Sequence, residues 1–236
     1  MTEPHPSIRL LTVDAAGTLV RPWPSVGAVY GRAAREHGIE ASDEEVNTRF
    51  YQTFGKLQTC KKTNGGEESE FWRQVVTETF RPFAGDQNLD PLFEELWDLF
   101  AKGDCWKLAE HAQSTLTILR ERGYQLAVLS NNDSRLRSVL ADLAIDQSFD
   151  HLFISSEMGC EKPEPEIFRK VEVAMGRHPL KFCISETVTH ATSSEPAMRA
   201  GMPSFLVSLN WRSCRSPAFQ NCSIICHDRT SLPNPS

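Results

Sequence analysis

No stretch of this chain approaches the roughly eighteen consecutive apolar residues that a membrane-spanning helix requires, so no membrane partner is expected. Clustered positive charge is lacking too. The 25 basic and 31 acidic residues are interspersed and sum to a formal charge of −6, which argues against a nucleic-acid surface and leaves a small molecule as the expected partner. The opening Met1-Thr2-Glu3-Pro4-His5-Pro6 has neither the basic nor the apolar region of a signal peptide, and a cytoplasmic location is the expectation. A cysteine framework is lacking as well. The seven residues, at 60, 105, 160, 183, 214, 222 and 226, form no Cys-x-x-Cys pair, which speaks for reduced thiols rather than a disulfide framework. Cys222, Cys226 and His227 lack the second half of a zinc site, and the reading there is a last strand, Ser223 to Cys226, with small thiols as packing.

What the chain does have is length: 236 residues suffice for one α/β domain carrying an insertion, or for two modest domains. The apolar run Leu10-Leu11-Thr12-Val13 ends in Asp14 and continues as Ala15-Ala16-Gly17-Thr18-Leu19. Such a run suits a buried parallel strand that delivers Asp14 to its carboxyl end, where open α/β sheets collect reactive groups; a plain turn cap is the other reading of the same residues. Arg21-Pro22-Trp23-Pro24 should break any strand and prepare a helix from Ser25 to Gly38, with Val26, Val29, Tyr30 and Ala33 on one face. Ser42 and Glu45 make a capping box for a second helix, which carries Val46, Phe50, Tyr51 and Phe54 on one face. A polar loop at 59–70 and two more amphipathic stretches, Phe71 to Phe80 and Leu92 to Phe100, follow.

From Leu108 the rhythm changes to helix 109–122, strand 125–130, helix 134–143, strand 151–155, helix 164–175, strand 182–185, helix 195–200 and strand 204–207. That alternation predicts an α/β fold with a doubly wound parallel sheet, formed by residues 1–19 and 109–236, and an all-helical insertion at 20–108.

Three further groups stand where strands should end. Val128-Leu129-Ser130-Asn131-Asn132 places a hydroxyl at a strand terminus, where Ser130 can hydrogen-bond a phosphoryl oxygen; an ordinary turn capped by Asp133 or Ser134 is the alternative. Glu161-Lys162-Pro163-Glu164-Pro165-Glu166-Ile167-Phe168 supplies a cation, and an ammonium beside Asp14 would keep the carboxylate ionised and offset an anionic substrate. Glu186 closes Phe182-Cys183-Ile184-Ser185 with a hard oxygen donor of the kind magnesium takes.

Together these stretches resemble the haloacid dehalogenase-like hydrolases. Asp14 to Leu19 matches that family's first motif at the nucleophile and at Gly-Thr-Leu, but Ala16 stands in place of its second Asp. The strand ending in Ser130 matches the second motif, and Lys162-Pro-x-Pro-x-Ile-Phe matches the third nearly verbatim. Glu186 takes the place of the fourth motif's first carboxylate, while His190 and Ala191 stand where its second would fall. The resemblance implies a Rossmann-like core and a mobile helical cap over the site. It implies Asp14 as nucleophile, Ser130 and Lys162 as its catalytic partners, and Thr18 and Asn131 on the substrate. It also implies Mg²⁺ held by Asp14, the Ala16 carbonyl and Glu186.

In phosphatases of this family the missing Asp protonates the leaving alcohol, help worth about two to four powers of ten in rate, and Ala16 cannot give it. Three readings therefore stay open. One is a hydrolase acting through an aspartyl intermediate on a small phosphorylated, anionic substrate, and it is the expectation adopted. Another is a 2-haloacid dehalogenase-type or phosphonatase-type hydrolase, with Lys56, Lys61 or Lys62 forming a Schiff base, or with Arg21, Arg32, Arg35 or Arg49 holding a carboxylate. The last is a catalytically degenerate binding protein.

Overall fold

The computed structural model of the protein describes residues 10–60, 68–176 and 184–185. Strand β1 (Leu10–Val13) leads through the Asp14 turn into β2 (Val20–Pro22), and four helices follow: α1 (Val26–Glu36), α2 (Asp43–Cys60), α3 (Glu68–Ala84) and α4 (Asp90–Leu99). A 3₁₀ turn at Gly103–Cys105 and strand β3 (Trp106–Leu108) bring the chain back. Then come α5 (Ala112–Glu121), β4 (Gln125–Ser130), α6 (Leu136–Asp142), β5 (His151–Ile154), the single-turn α7 (Ser155–Met158), α8 (Pro165–Ala174) and β6 (Ile184–Ser185).

The sheet is parallel throughout, in the order β5-β4-β1-β6. The chain winds from β1 outward through β4 to β5 and then crosses to β6 on the other side of β1, a doubly wound arrangement with its switch point between β1 and β6. Leu126, Val128, Val13, Leu19, Leu116, Leu140 and Ile154 pack into an aliphatic core on one side, and Leu129, Ile167, Phe168 and Val171 form a smaller cluster. These are the near-continuous apolar runs expected of strands buried on both faces.

The four helices α1 to α4 enclose a core of their own, in which aliphatic residues such as Val29, Val46, Val75 and Leu92 surround a set of packed rings. Tyr30 meets Phe50 edge-on at 5.2 Å and Phe100 at 5.6 Å, and stacks on Phe80 at 6.1 Å. Ser25 caps α1 by accepting from the Ala28 N–H at 3.0 Å, and the capping box of α2 is present, with Glu45 N–H donating to Ser42 Oγ and Ser42 N–H to Glu45 Oε2. Gly27 lets α1 and α2 touch: a Cβ there would lie 2.1 Å from the Asp43 carbonyl oxygen.

Several expectations need correction. Arg21-Pro22 does not break a strand: Val20 to Pro22 pair antiparallel with Trp106 to Leu108, so the segment 20–108 is not wholly helical but enters and leaves through a two-stranded ribbon. Pro22 is tolerated because it ends an edge strand, where its missing N–H costs no ladder bond. Tyr51 does not share the buried face of α2. It is 56 % exposed, since it stands five residues after Val46 and one after Phe50, off the i, i+4 stripe. The helices flanking the polar loop run longer than expected, α2 to Cys60 and α3 from Glu68. The expected elements at 195–200, 204–207 and 223–226 lie outside the described residues. Among the described residues no helix is long and apolar enough to cross a membrane.

Candidate active site

β1 and β4 run side by side with Val13 opposite Val128, so Asp14 and Ser130 emerge at the same edge of the sheet. The turn after Asp14 is tight. The Ala15 carbonyl accepts from the N–H groups of Thr18, Leu19 and Val20 at 3.2, 2.8 and 3.0 Å, and Gly17 adopts φ +82°, a left-handed conformation that favours glycine. Thr18 is buried within this turn, and Ala16 is exposed beyond it.

Lys162 arrives from the other side, in the segment between α7 and α8. Its ammonium lies 3.1 Å from Asp14 Oδ1, with the two side chains only 7 and 16 % exposed. An ion pair so shielded from water is weakly screened, and removing one partner leaves the other charge costly to keep. The lysine is brought there by Asn131. That side chain accepts from the Lys162 N–H at 2.7 Å and donates to the Lys162 carbonyl at 2.8 Å, clamping the peptide on both sides. Expected to meet substrate, the Asn131 amide is engaged on the lysine, and one N–H of its NH₂ remains beyond that bond.

Ser130 ends β4 fully buried, at 1 % exposure, and its Oγ has no hydrogen-bond partner among the described residues. Buried hydroxyls are almost always satisfied, so this one stands out, as does Thr79 Oγ1, the other buried side-chain group without a partner among the described residues. The turn that carries Ser130 is held from behind. Ser155 Oγ accepts from the Asn132 N–H at 3.0 Å and donates to the Asn132 carbonyl at 3.1 Å, while Asp133 takes the Arg135 guanidinium at 2.7 and 2.8 Å.

Sequence reasoning singled out Asp14, Ser130 and Lys162, and the structure brings all three to one edge. It missed Ser155 and Arg135 as supports, whereas Asp133, read as a candidate cap of the turn, does accept from the Arg135 N–H at 3.0 Å. A hydroxyl directly after β5, the neighbour of β4, was the available signal for Ser155. Of the arginines considered for a carboxylate, Arg35 is taken by Asp43 and the Ala41 carbonyl, and Arg49 by the Thr79 and Glu78 carbonyls. Arg21 lies over Trp23, and Arg32 lines a cavity of about 330 Å³ together with Trp23, Lys102 and Cys105. Lys56 is exposed; Lys61, Lys62 and Glu186 lie outside the described residues.

The Asp14 carboxylate and the Ala16 carbonyl are hard oxygen donors of the kind magnesium takes, and to that extent the residues present fit the ion. Among the described residues no group of three His, Cys, Asp or Glu side chains forms a metal cluster. Ser185, the residue before Glu186, pairs with Val13, the residue before Asp14.

A family model described as haloacid dehalogenase-like hydrolase matches residues 8–184. The haloacid dehalogenase-like hydrolase domain-containing protein 3 of Mus musculus is 34% identical over 211 residues, covering 85% of this chain and 82% of its own. Among solved structures, L-2-haloacid dehalogenase from Xanthobacter autotrophicus with chloropropionic acid covalently bound aligns with a TM-score of 0.60 at 18% identity, over 75% of this chain and 69% of that one. A magnesium-bound structure of YfnB from Bacillus subtilis aligns with a TM-score of 0.59 at 17% identity, over 70% of this chain and 73% of that one. At such identities these two likenesses speak for the fold. With the family model spanning residues 8–184 and a relative 34% identical over most of both chains, this chain belongs to the haloacid dehalogenase-like hydrolases.

Proposed function

We propose that the protein is a hydrolase of small phosphorylated substrates, working through a covalent intermediate on Asp14, with residues 20–108 as a cap over the site. The observation that carries this reading is the shielded Asp14–Lys162 pair at 3.1 Å. The pair sets an attacking carboxylate oxygen beside a cation that offsets the charge of an arriving phosphate.

With Lys162 on Oδ1, Oδ2 attacks phosphorus; the new O–P bond forms as the ester P–O bond breaks, and the leaving alkoxide takes its proton from water because Ala16 has none to give. Water then attacks the aspartyl phosphate at phosphorus, releasing inorganic phosphate and restoring the carboxylate. Ser130 Oγ donates to a phosphoryl oxygen, and Asn131 keeps Lys162 in place and offers its remaining N–H. Mg²⁺ would be held by Asp14, the Ala16 carbonyl and Glu186, and would supply further neutralisation of the phosphoryl oxygens. The register that ends β1 before Asp14 and β6 before Glu186 supports that set.

A second reading has one observation in its favour. Ala16 offers no proton, and a halide leaves without one, so displacement from a 2-haloacid suits the same nucleophile. Hydrolysis of a phenyl phosphate with a good leaving group, run beside 2-chloropropionate, separates the two. Phosphate release that is lost in Asp14→Asn and raised in Ala16→Asp is the expected result. Chloride release without phosphate release establishes the dehalogenase reading, and unchanged turnover in Asp14→Asn removes Asp14 as nucleophile. A wild type inert in both assays, with phosphatase activity waking only in Ala16→Asp, points to a binding protein.

A further inference from the structure

The last carbonyls of α4 point out of the helix end, and each needs a donor from elsewhere. Leu96 receives the Phe100 N–H, Asp98 that of Ala101, Leu99 that of Lys102, and Phe100 the Trp106 indole. All of these come from the same stretch of chain. The Trp97 carbonyl is different: its donor is Nη1 of Arg135, at 3.0 Å, from the sheet side of the molecule.

Arg135 makes more than this one contact. Its guanidinium carbon sits 3.5 Å from the centroid of the Trp97 ring, a cation–π approach, and a cation at a helix carboxyl end is also favoured by the helix dipole. Its other two edges fork onto Asp133, Nε to Oδ1 at 2.8 Å and Nη2 to Oδ2 at 2.7 Å, and Asp133 is itself 5 % exposed. From Asp133 the bonds run back into the site: its N–H donates to Asn132 Oδ1, Asn132 is gripped by Ser155, and the next residues are Asn131 and Ser130. Tyr30, in α1, lies near enough for the Arg135 charge to act on it: burial pushes its hydroxyl well up, and the arginine pulls the other way.

The opposite end of α6 is tied to the same arm. Gly103 N–H donates to Asp142 Oδ2 at 2.8 Å, and a Cβ on Gly103 would come within 2.6 Å of the Asp142 Cβ. The helix that begins just after the Ser130–Asn131 turn is thus attached at both ends to the segment that leaves the cap.

We infer that Arg135 is a positioning residue that locks the seat of the cap to the geometry of the Ser130–Asn131 turn. The inference rests on the proposed reading of that turn as the holder of the transferred group. Seating the cap fixes Trp97, Trp97 fixes the guanidinium, and the guanidinium fixes Asp133 and the turn behind the phosphoryl position. Coupling of this kind is reciprocal: a ligand that orders the turn also draws the cap in.

The test changes one side and reads the other. Amide hydrogen exchange is followed by mass spectrometry on the full chain in wild type, Arg135→Lys, Trp97→Leu and Trp97→Phe. Trp97→Leu alters only the cap, yet exchange at residues 132–136 should rise about threefold to tenfold, with Trp97→Phe, which keeps an aromatic face, close to wild type. Arg135→Lys keeps the charge and loses the fork, and it should raise exchange at both 100–102 and 132–136 while lowering kcat more than it changes KM. Exchange at 132–136 that ignores Trp97→Leu, or at 100–102 that ignores Arg135→Lys, overturns the coupling. The exchange arms need no substrate, so a wild type without hydrolytic activity counts against the proposed function alone.

Discussion

The interior of the helical cap and the carboxyl edge of the sheet are held together by opposite means. In the cap, Tyr30, Phe50, Phe54, Trp72 and Phe80 lean on one another as rings, and the polar bonds sit around the periphery, as in Arg73 with Asp90 and Glu94. At the sheet edge the contacts that matter are polar: the Asp14–Lys162 pair, the Asn131 clamp and the Asp133–Arg135 fork. Apolar burial is non-directional and supplies stability in proportion to area, whereas charged and hydrogen-bonded groups in a shielded place supply geometry at little net gain in stability. Stability and chemistry should therefore separate between the two regions.

The largest expected effect on stability falls in the cap. Phe80 is fully buried, and Phe80→Ala should cost about 3–5 kcal/mol, read by denaturant unfolding, while turnover per folded molecule stays near wild type. A comparable loss of turnover would show that the two regions are not separable. At the sheet edge the reverse is expected. Ser130→Ala removes a hydroxyl that bonds nothing in the described residues, so the fold should hold while kcat falls about a hundredfold. A strong loss of stability with unchanged kcat would make Ser130 structural.

The smallest effect concerns the outer support of the turn region. Arg137 donates to both Glu157 oxygens at 2.7 Å, and those bonds hold the Glu157 carboxyl below the usual glutamate range, with burial pushing the other way. A lowered folded value means that the stabilisation is present above the unfolded value of about 4.3 and is lost as pH falls through the folded value. Glu157→Gln should lower stability by about 0.5 kcal/mol near neutral pH, the pair being partly exposed, and the difference should vanish in acid. A difference that persists at low pH would place the effect in packing rather than in charge.

How far the sequence discloses this arrangement depends on the range of the interaction. β1, β4 and the Lys162 segment were legible because each combines an apolar run with a distinctive terminus, and the order of elements sufficed to put their ends on one edge. The capping box of α2 was legible for the same reason, being complete within Ser42 to Glu45. The ribbon of β2 and β3 was hidden, since its partners stand far apart and Pro22 reads as a breaker until the strand is seen to lie at an edge. The clamp of Asn131 on Lys162, separated by 31 residues, and the bond from Arg135 to Trp97, separated by 38, have no local signature at all. Asn131 was expected on the substrate and Arg135 carried no expectation, and only the fold shows what they reach.

The central claim, that Asp14 becomes covalently attached to the transferred group, is tested most directly by rapid acid quench of the enzyme during turnover of a phenyl phosphate, followed by mass spectrometry of the peptide containing Asp14. A peptide heavier by one phosphoryl group at Asp14 is expected, present in wild type, absent in Asp14→Asn and released as inorganic phosphate when the reaction is allowed to proceed. Phosphate released at full rate with no modified Asp14 peptide at any quench time, under conditions that preserve acyl phosphates, would contradict the claim.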